Sequence, residues 1–188
     1  WNPVVLRASL EAGGAVGNDI SGFADPEYLP ICAEFGASVV ATHIRLGPRI
    51  ADPEPVYDDL CADVRGFLHD RARMALDAGI PSARIMVDDG LDLGKTEPQS
   101  LELLRTSDQL AALGYAAFLS ASNKRFLGEL LDLEVGDRRE ASHAAHDLGI
   151  TLGCRVLRAD EVRGARRTAD IVAELLERQA RQAGQVRC

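Results

Sequence analysis

At 188 residues, 46% hydrophobic, 27% charged and 5% aromatic, the sequence has the composition of one globular domain large enough to bury a core. A net charge of -8 argues against a general nucleic-acid binder, whose contacts rest on clustered Lys and Arg. No apolar run is long enough to span a bilayer, no signal-peptide pattern opens the chain, and Cys32, Cys61, Cys154 and Cys188 have neither metal-ligand spacing nor a disulfide framework, so the expectation is a cytoplasmic protein with reduced thiols.

In chain order, NPVVLRASLEAGG (2–14) reads as a helix stopped by glycines and AVGNDI (15–20) as a strand with a polar end. Asp25 and Pro26 then start a helix with apolar Leu29, Ile31, Cys32 and Phe35, Gly36 stops it, and SVVATH (38–43) is the second strand. Val56, Leu60, Val64, Phe67, Leu68 and Ala75 fit one face of a long helix that leads into AGIPSARIMVDD (78–89). A helical SLELLRTSDQLAALG precedes YAAFLSAS, and a helical stretch over 138–152 precedes GCRVLRAD. The last helix is expected over 171–181 with Ile171, Val172, Leu175 and Leu176 as its apolar stripe, and the basic run EVRGARRTAD before it as its solvated start.

Helix and strand alternate five times through short connections, which is the pattern of a parallel α/β sheet. Both a doubly wound open sheet and part of a (β/α)8 barrel fit that count. Each strand ends in groups able to hold a ligand: Asn18 with Asp19, His43, Asp88, Ser122 with Asn123 and Lys124, and Arg158. Parallel strands open their C-terminal ends on one face, where sites are built. Asp88 and Asp89 stand together at the end of an apolar strand, where unpaired carboxylates are costly.

NDISG followed by Asp25, VDDGLDLGKT, SASNKRFLG and LRADEV resemble, in order and spacing, the motifs of the dihydropteroate synthase family, including its divergent actinobacterial second-copy type. The resemblance covers essentially the whole chain and implies strands four to eight of a TIM (β/α)8 barrel. Residues 1–188 would then be a single partial pterin-binding barrel domain, truncated at its N-terminus, with the first three βα units absent. The implied function is a transferase of folate biosynthesis that condenses 6-hydroxymethyl-7,8-dihydropterin pyrophosphate with p-aminobenzoate, in a homodimer and with Mg2+ whose usual ligand lies outside this chain. It implies that Asn18, Asp88, Lys124 and Arg158 bind the pterin, Lys124 and Arg158 act in catalysis, Leu93, Lys124 and Arg125 line the aminobenzoate pocket, and Arg158 and Asp160 lie at the pyrophosphate.

Several positions depart from the family pattern. Asp89 replaces a proline, Asp92 and Leu93 replace Gly-Phe, Asn123 replaces an arginine, Arg125 a serine, and Asp160 a histidine that contacts pyrophosphate. A carboxylate beside a leaving dianion raises the barrier unless it turns away or binds a metal. The alternative is a catalytically impaired pterin-binding paralogue, and a third reading is a methyltetrahydrofolate-binding methyltransferase domain. Of the other tempting residues, His43 is expected to be structural, His143 and His146 to lie on a solvated helix face, and Lys95 to sit in a loop that misses the G-x-x-x-x-G-K-[ST] pattern.

Overall fold

The computed structural model describes residues 1–185, so Cys188 lies outside the described residues. Five strands form one sheet: β1 (Val16–Asp19), β2 (Ser38–Thr42), β3 (Ile85–Asp88), β4 (Ala116–Leu119) and β5 (Val156–Leu157). Every pairing is parallel and the order is sequential, β1-β2-β3-β4-β5. A doubly wound sheet reverses its order at a switch point; a barrel does not. The sheet is therefore a half-barrel, and the open-sheet alternative is set aside.

The helices are α1 (Pro3–Glu11), α2 (Tyr28–Glu34), α3 (Leu60–Asp77), α4 (Glu97–Arg105), α5 (Ser107–Ala111), α6 (Arg125–Leu131), α7 (Arg139–Thr151) and α8 (Val162–Gln185). Strand side chains alternate between faces. Val39, Ala41, Ile85, Val87, Ala117 and Leu119 enter the core, which they share with helix residues including Val64, Leu68, Ala72, Leu103 and Ala145. The same alternation turns Asn18, Val40, Thr42, Met86, Asp88 and Phe118 to the concave face.

Several boundaries differ from the sequence expectation for visible reasons. Val56 lies outside α3 and is exposed, because Asp59 caps the helix by accepting from Ala62 N. The single helix expected over 100–114 breaks at Thr106, whose hydroxyl donates to the Glu102 and Leu103 carbonyls. Cys154 precedes β5 instead of lying within a strand. Helix α8 begins at Val162, and of its expected stripe Val172 is buried while Ile171 and Leu175 are exposed.

Candidate functional site

The concave face carries a polar row across three adjacent strands. Register pairs Asn18 with Val40 and Thr42 with Asp88. Thr42 Oγ1 lies 3.5 Å from Asn18 Oδ1 and 3.4 Å from Asp88 Oδ2. Asp88 is buried and its other oxygen accepts from Gly90 N at 2.9 Å. Burial pushes the Asp88 carboxyl above its usual range, opposed by the Gly90 amide and the Lys124 and Lys95 ammoniums. Thr42 was not singled out from the sequence. The signal was there, since alternation puts Thr42 on the face of Val40, two residues before it, and opposite to His43.

Lys95 is the unexpected residue of the next loop. It is buried, and its Nζ bonds the Gly90 and Leu93 carbonyls at 3.0 Å and faces His43 Nδ1 at 2.9 Å. His43 packs edge-on to Phe67, and burial together with Lys95 pushes its pKa down to about 3, so the imidazole stays neutral and its Nδ1 accepts a hydrogen bond from the lysine ammonium. Burial also lowers Lys95, to about 8, against the pull of Asp89 and Asp88. Lys95 thus fastens the 90–94 loop to the end of β2.

Asp89 faces the other way from Asp88. Its neighbours are Val64 and Arg65 of α3, Leu103 of α4 and Leu110 of α5, and its Oδ1 is buried without a hydrogen-bond partner. Burial, then the Asp88 charge, pushes it up to about 7. Asp19 is likewise turned from the concave face: it accepts from Ser21 N, Ser21 Oγ and Phe23 N and closes its own loop. Neither is placed to meet a ligand on the concave face.

Lys124 reaches the site from the loop before α6. Its Nζ donates to Leu91 O at 2.8 Å, and desolvation lowers its pKa against the attraction of Asp88 and Asp92, with Arg158 reinforcing the drop. Arg158 is exposed and its backbone N–H continues the ladder by donating to Leu119 O. Asp160 is exposed; its N–H donates to Ser122 Oγ, so Ser122 ties two strand-end loops together and does not cap a helix. Leu93 is half-buried, and Arg125 is exposed beside Glu129. The carboxylate of Asp92 accepts from Arg125 N and, at 3.1 Å, from Phe126 N.

Asn18, Asp88, Lys124 and Arg158 thus all stand at the strand C-terminal end of the half-barrel, with Thr42 between Asn18 and Asp88, and with Lys124 near enough to feel the attraction of Asp88 and the repulsion of Arg158. His143 and His146 line a cleft of about 310 Å3 with Ser122, Asn123, Asp160 and Glu161. His146 is buried with both ring nitrogens unpartnered, contrary to the solvated face expected for it. Among the described residues, no three His, Cys, Asp or Glu side chains converge to hold a metal ion. No helix among them is long and apolar enough to cross a membrane.

The family described as pterin binding enzyme matches residues 1–160. Dihydropteroate synthase of Bacillus subtilis (strain 168) is 32% identical over 175 residues, covering 93% of this chain and 59% of the relative. A Mycobacterium leprae protein named inactive dihydropteroate synthase 2 is 33% identical over 182 residues, covering 93% of this chain and 62% of the relative. Among solved structures, Thermus thermophilus dihydropteroate synthase in complex with 6HMPPP matches with a TM-score of 0.84 at 32% identity, over 93% of this chain and 67% of that one. The same enzyme in complex with 4-aminobenzoate matches with a TM-score of 0.87 at 32% identity, over 93% and 68%. The chain spans about three-fifths of the length of the curated relatives it matches.

Proposed function

The chain belongs to the pterin-binding enzyme family, among the dihydropteroate synthases, and we propose that it supplies the pterin-binding half of a synthase joining 6-hydroxymethyl-7,8-dihydropterin pyrophosphate to p-aminobenzoate. The observation that carries this reading is the Asn18–Thr42–Asp88 row with Lys124 beside it. An amino-pyrimidine edge presents paired N–H donors, which one carboxylate can accept together. In this reading Asp88 takes that edge, Asn18 bonds the same ring, and Lys124 turns from Leu91 O to an oxygen of the pterin.

Condensation requires the C–O bond to the pyrophosphate to break as the aniline nitrogen attacks. Negative charge then grows on the leaving oxygen, and fixed positive charge lowers that barrier. Arg158 is the cation assigned to that task, with Lys124 adjacent. Asp160 is exposed and tied by its backbone to Ser122, which leaves its carboxylate free to turn toward solvent. Leu93, Lys124 and Arg125 would border the aminobenzoate. Mg2+ belongs to this reading through the family alone; the described residues offer no convergent carboxylate set for it.

The test is pyrophosphate release by the intact protein given both substrates. Release that requires p-aminobenzoate and disappears in Asp88→Ala and Lys124→Ala supports the synthase. The second reading, a pterin-binding paralogue without synthase activity, is favoured by similarity to a relative named inactive. Pterin binding by calorimetry without pyrophosphate release would select it.

A further inference from the structure

Lys124 makes one side-chain hydrogen bond of its own, to Leu91 O, and is otherwise held by groups that belong to other residues. As the residue preceding α6 it occupies the capping position, where its side chain makes no cap hydrogen bond. A lysine has no acceptor to offer the free amides of a first helical turn. The acceptor comes instead from Asp92, far earlier in sequence, whose two oxygens take Arg125 N and Phe126 N. Asp92 adopts the left-handed conformation, at φ 67°, which Asp reaches more readily than most side chains and which contacts around it support here. Ser100 Oγ is one such contact, accepting from Asp92 N at 3.1 Å.

A second grip comes from the opposite side. The Arg138 guanidinium donates to the carbonyls of Asn123 at 3.2 Å, Lys124 at 3.4 Å and Leu133 at 3.2 Å. Asn123 is also left-handed, at φ 55°, and its N–H donates to Ser142 Oγ. Gly128 leaves the space that the guanidinium fills, since a Cβ there would overlap Arg138. The backbone of Lys124 is therefore fixed before and after the residue, while its Nζ rests on Leu91 O in the same loop as Asp92.

We propose that Asp92 and Arg138 are positioning residues, which clamp the 122–126 loop from two sides so that the Lys124 ammonium is preset toward Asp88 and the ring of a bound pterin. The proposal deepens the synthase reading and rests on it for the identity of the ligand. Asp92 has a second effect in this arrangement: it joins the loop after β3 to the loop after β4, so the carboxylate and the ammonium that flank the ligand move together.

The experiment is a double-mutant cycle in the intact protein, with the pterin pyrophosphate as titrant. Asp92→Gly keeps a residue suited to positive φ while removing the acceptor, and Gly128→Ala displaces the Arg138 guanidinium without deleting any charged side chain. Each is expected to weaken pterin binding about tenfold in the parent and to have no further effect once Lys124 is Ala, as coupling through one residue requires. Arg138→Lys should restore part of what Arg138→Met loses. Equal losses with and without Lys124 would overturn the clamp, because a merely structural change weakens both backgrounds alike. A separate readout needs no ligand: acylation of Lys124 followed by mass spectrometry should rise in Asp92→Gly and Gly128→Ala while buried Lys95 stays protected. If the parent fails to bind pterin, the ligand assignment falls; if Lys124 reactivity also stays unchanged in both variants, the clamp falls independently.

Discussion

The two adjacent aspartates have opposite fates because a strand sends successive side chains to opposite faces. Asp88 meets Thr42, the Gly90 amide and nearby cations; Asp89 is driven into the helix layer with an orphan oxygen. An acid whose folded pKa lies at about 7, against 3.8 for the unfolded group, binds more protons when folded between those values. Stability from this group is therefore fullest below that unfolded value and is lost as pH rises through the folded one, at roughly 1 kcal/mol for each pH unit in between. His43, lowered to about 3, acts in the opposite sense over an overlapping window, so only a comparison between variants isolates Asp89. Asp89→Asn should raise Tm over the parent, by more at about pH 8 than at about pH 5; a constant difference in melting scans would show that Asp89 is not the titrating group. Sequence alone picked out Asp88 by its place at a strand end, but Lys95 and Thr42 escaped because their partners, His43 and Asn18, come from other strands.

Elements whose signals are local were legible, and those completed by distant partners were not. The first four strands read correctly as runs between turn residues, whereas α4, expected from Ser100, starts at Glu97 behind a Thr96–Gln99 capping box that the sequence reading passed over. Helix α6 was missed: it is only seven residues, RFLGELL, and its cap arrives from Asp92. The loop after β3 shows the same dependence on tertiary contacts. Gly90 sits at φ 67° against the His43 carbonyl, where a Cβ would collide with backbone that cannot yield. Gly90→Ala should accordingly displace the loop and destabilise by at least about 2 kcal/mol, measured by urea unfolding. Lys95→Met should also destabilise by roughly 1–3 kcal/mol, because the Gly90 and Leu93 carbonyls lose their buried donor.

At the scale of the whole molecule, the sheet ends in two unpaired edges, β1 and β5, among the described residues. Beside the first edge the exposed Val5 and Val16 line one groove, apolar surface that water solvates poorly. Residues 1–188 in isolation should self-associate with rising concentration in light scattering, and Val16→Lys should reduce that association; a monomer at all concentrations would show the edges to be harmless. The strand order that identifies the half-barrel could not be read from the alternation of elements, because that alternation fits doubly wound sheets equally well. It was legible instead in the motif resemblance, which implied strands four to eight of a barrel, and the sequential parallel pairing bears that out.

One consequence concerns time rather than position. Strand β2 is flanked on both sides and Val39, Val40 and Ala41 are fully buried, whereas β5 is two residues long and held by one neighbour. Amide exchange with deuterium should therefore be slowest at β2 and β3 and fastest at β5, since protection follows the free energy of local opening. Asp88 rides on the slow-opening strands and Arg158 on the fast one. A fluctuation that releases the last strand would leave a ligand's ring held while the charge assigned to its departing group swings free, so recognition would outlast reactivity.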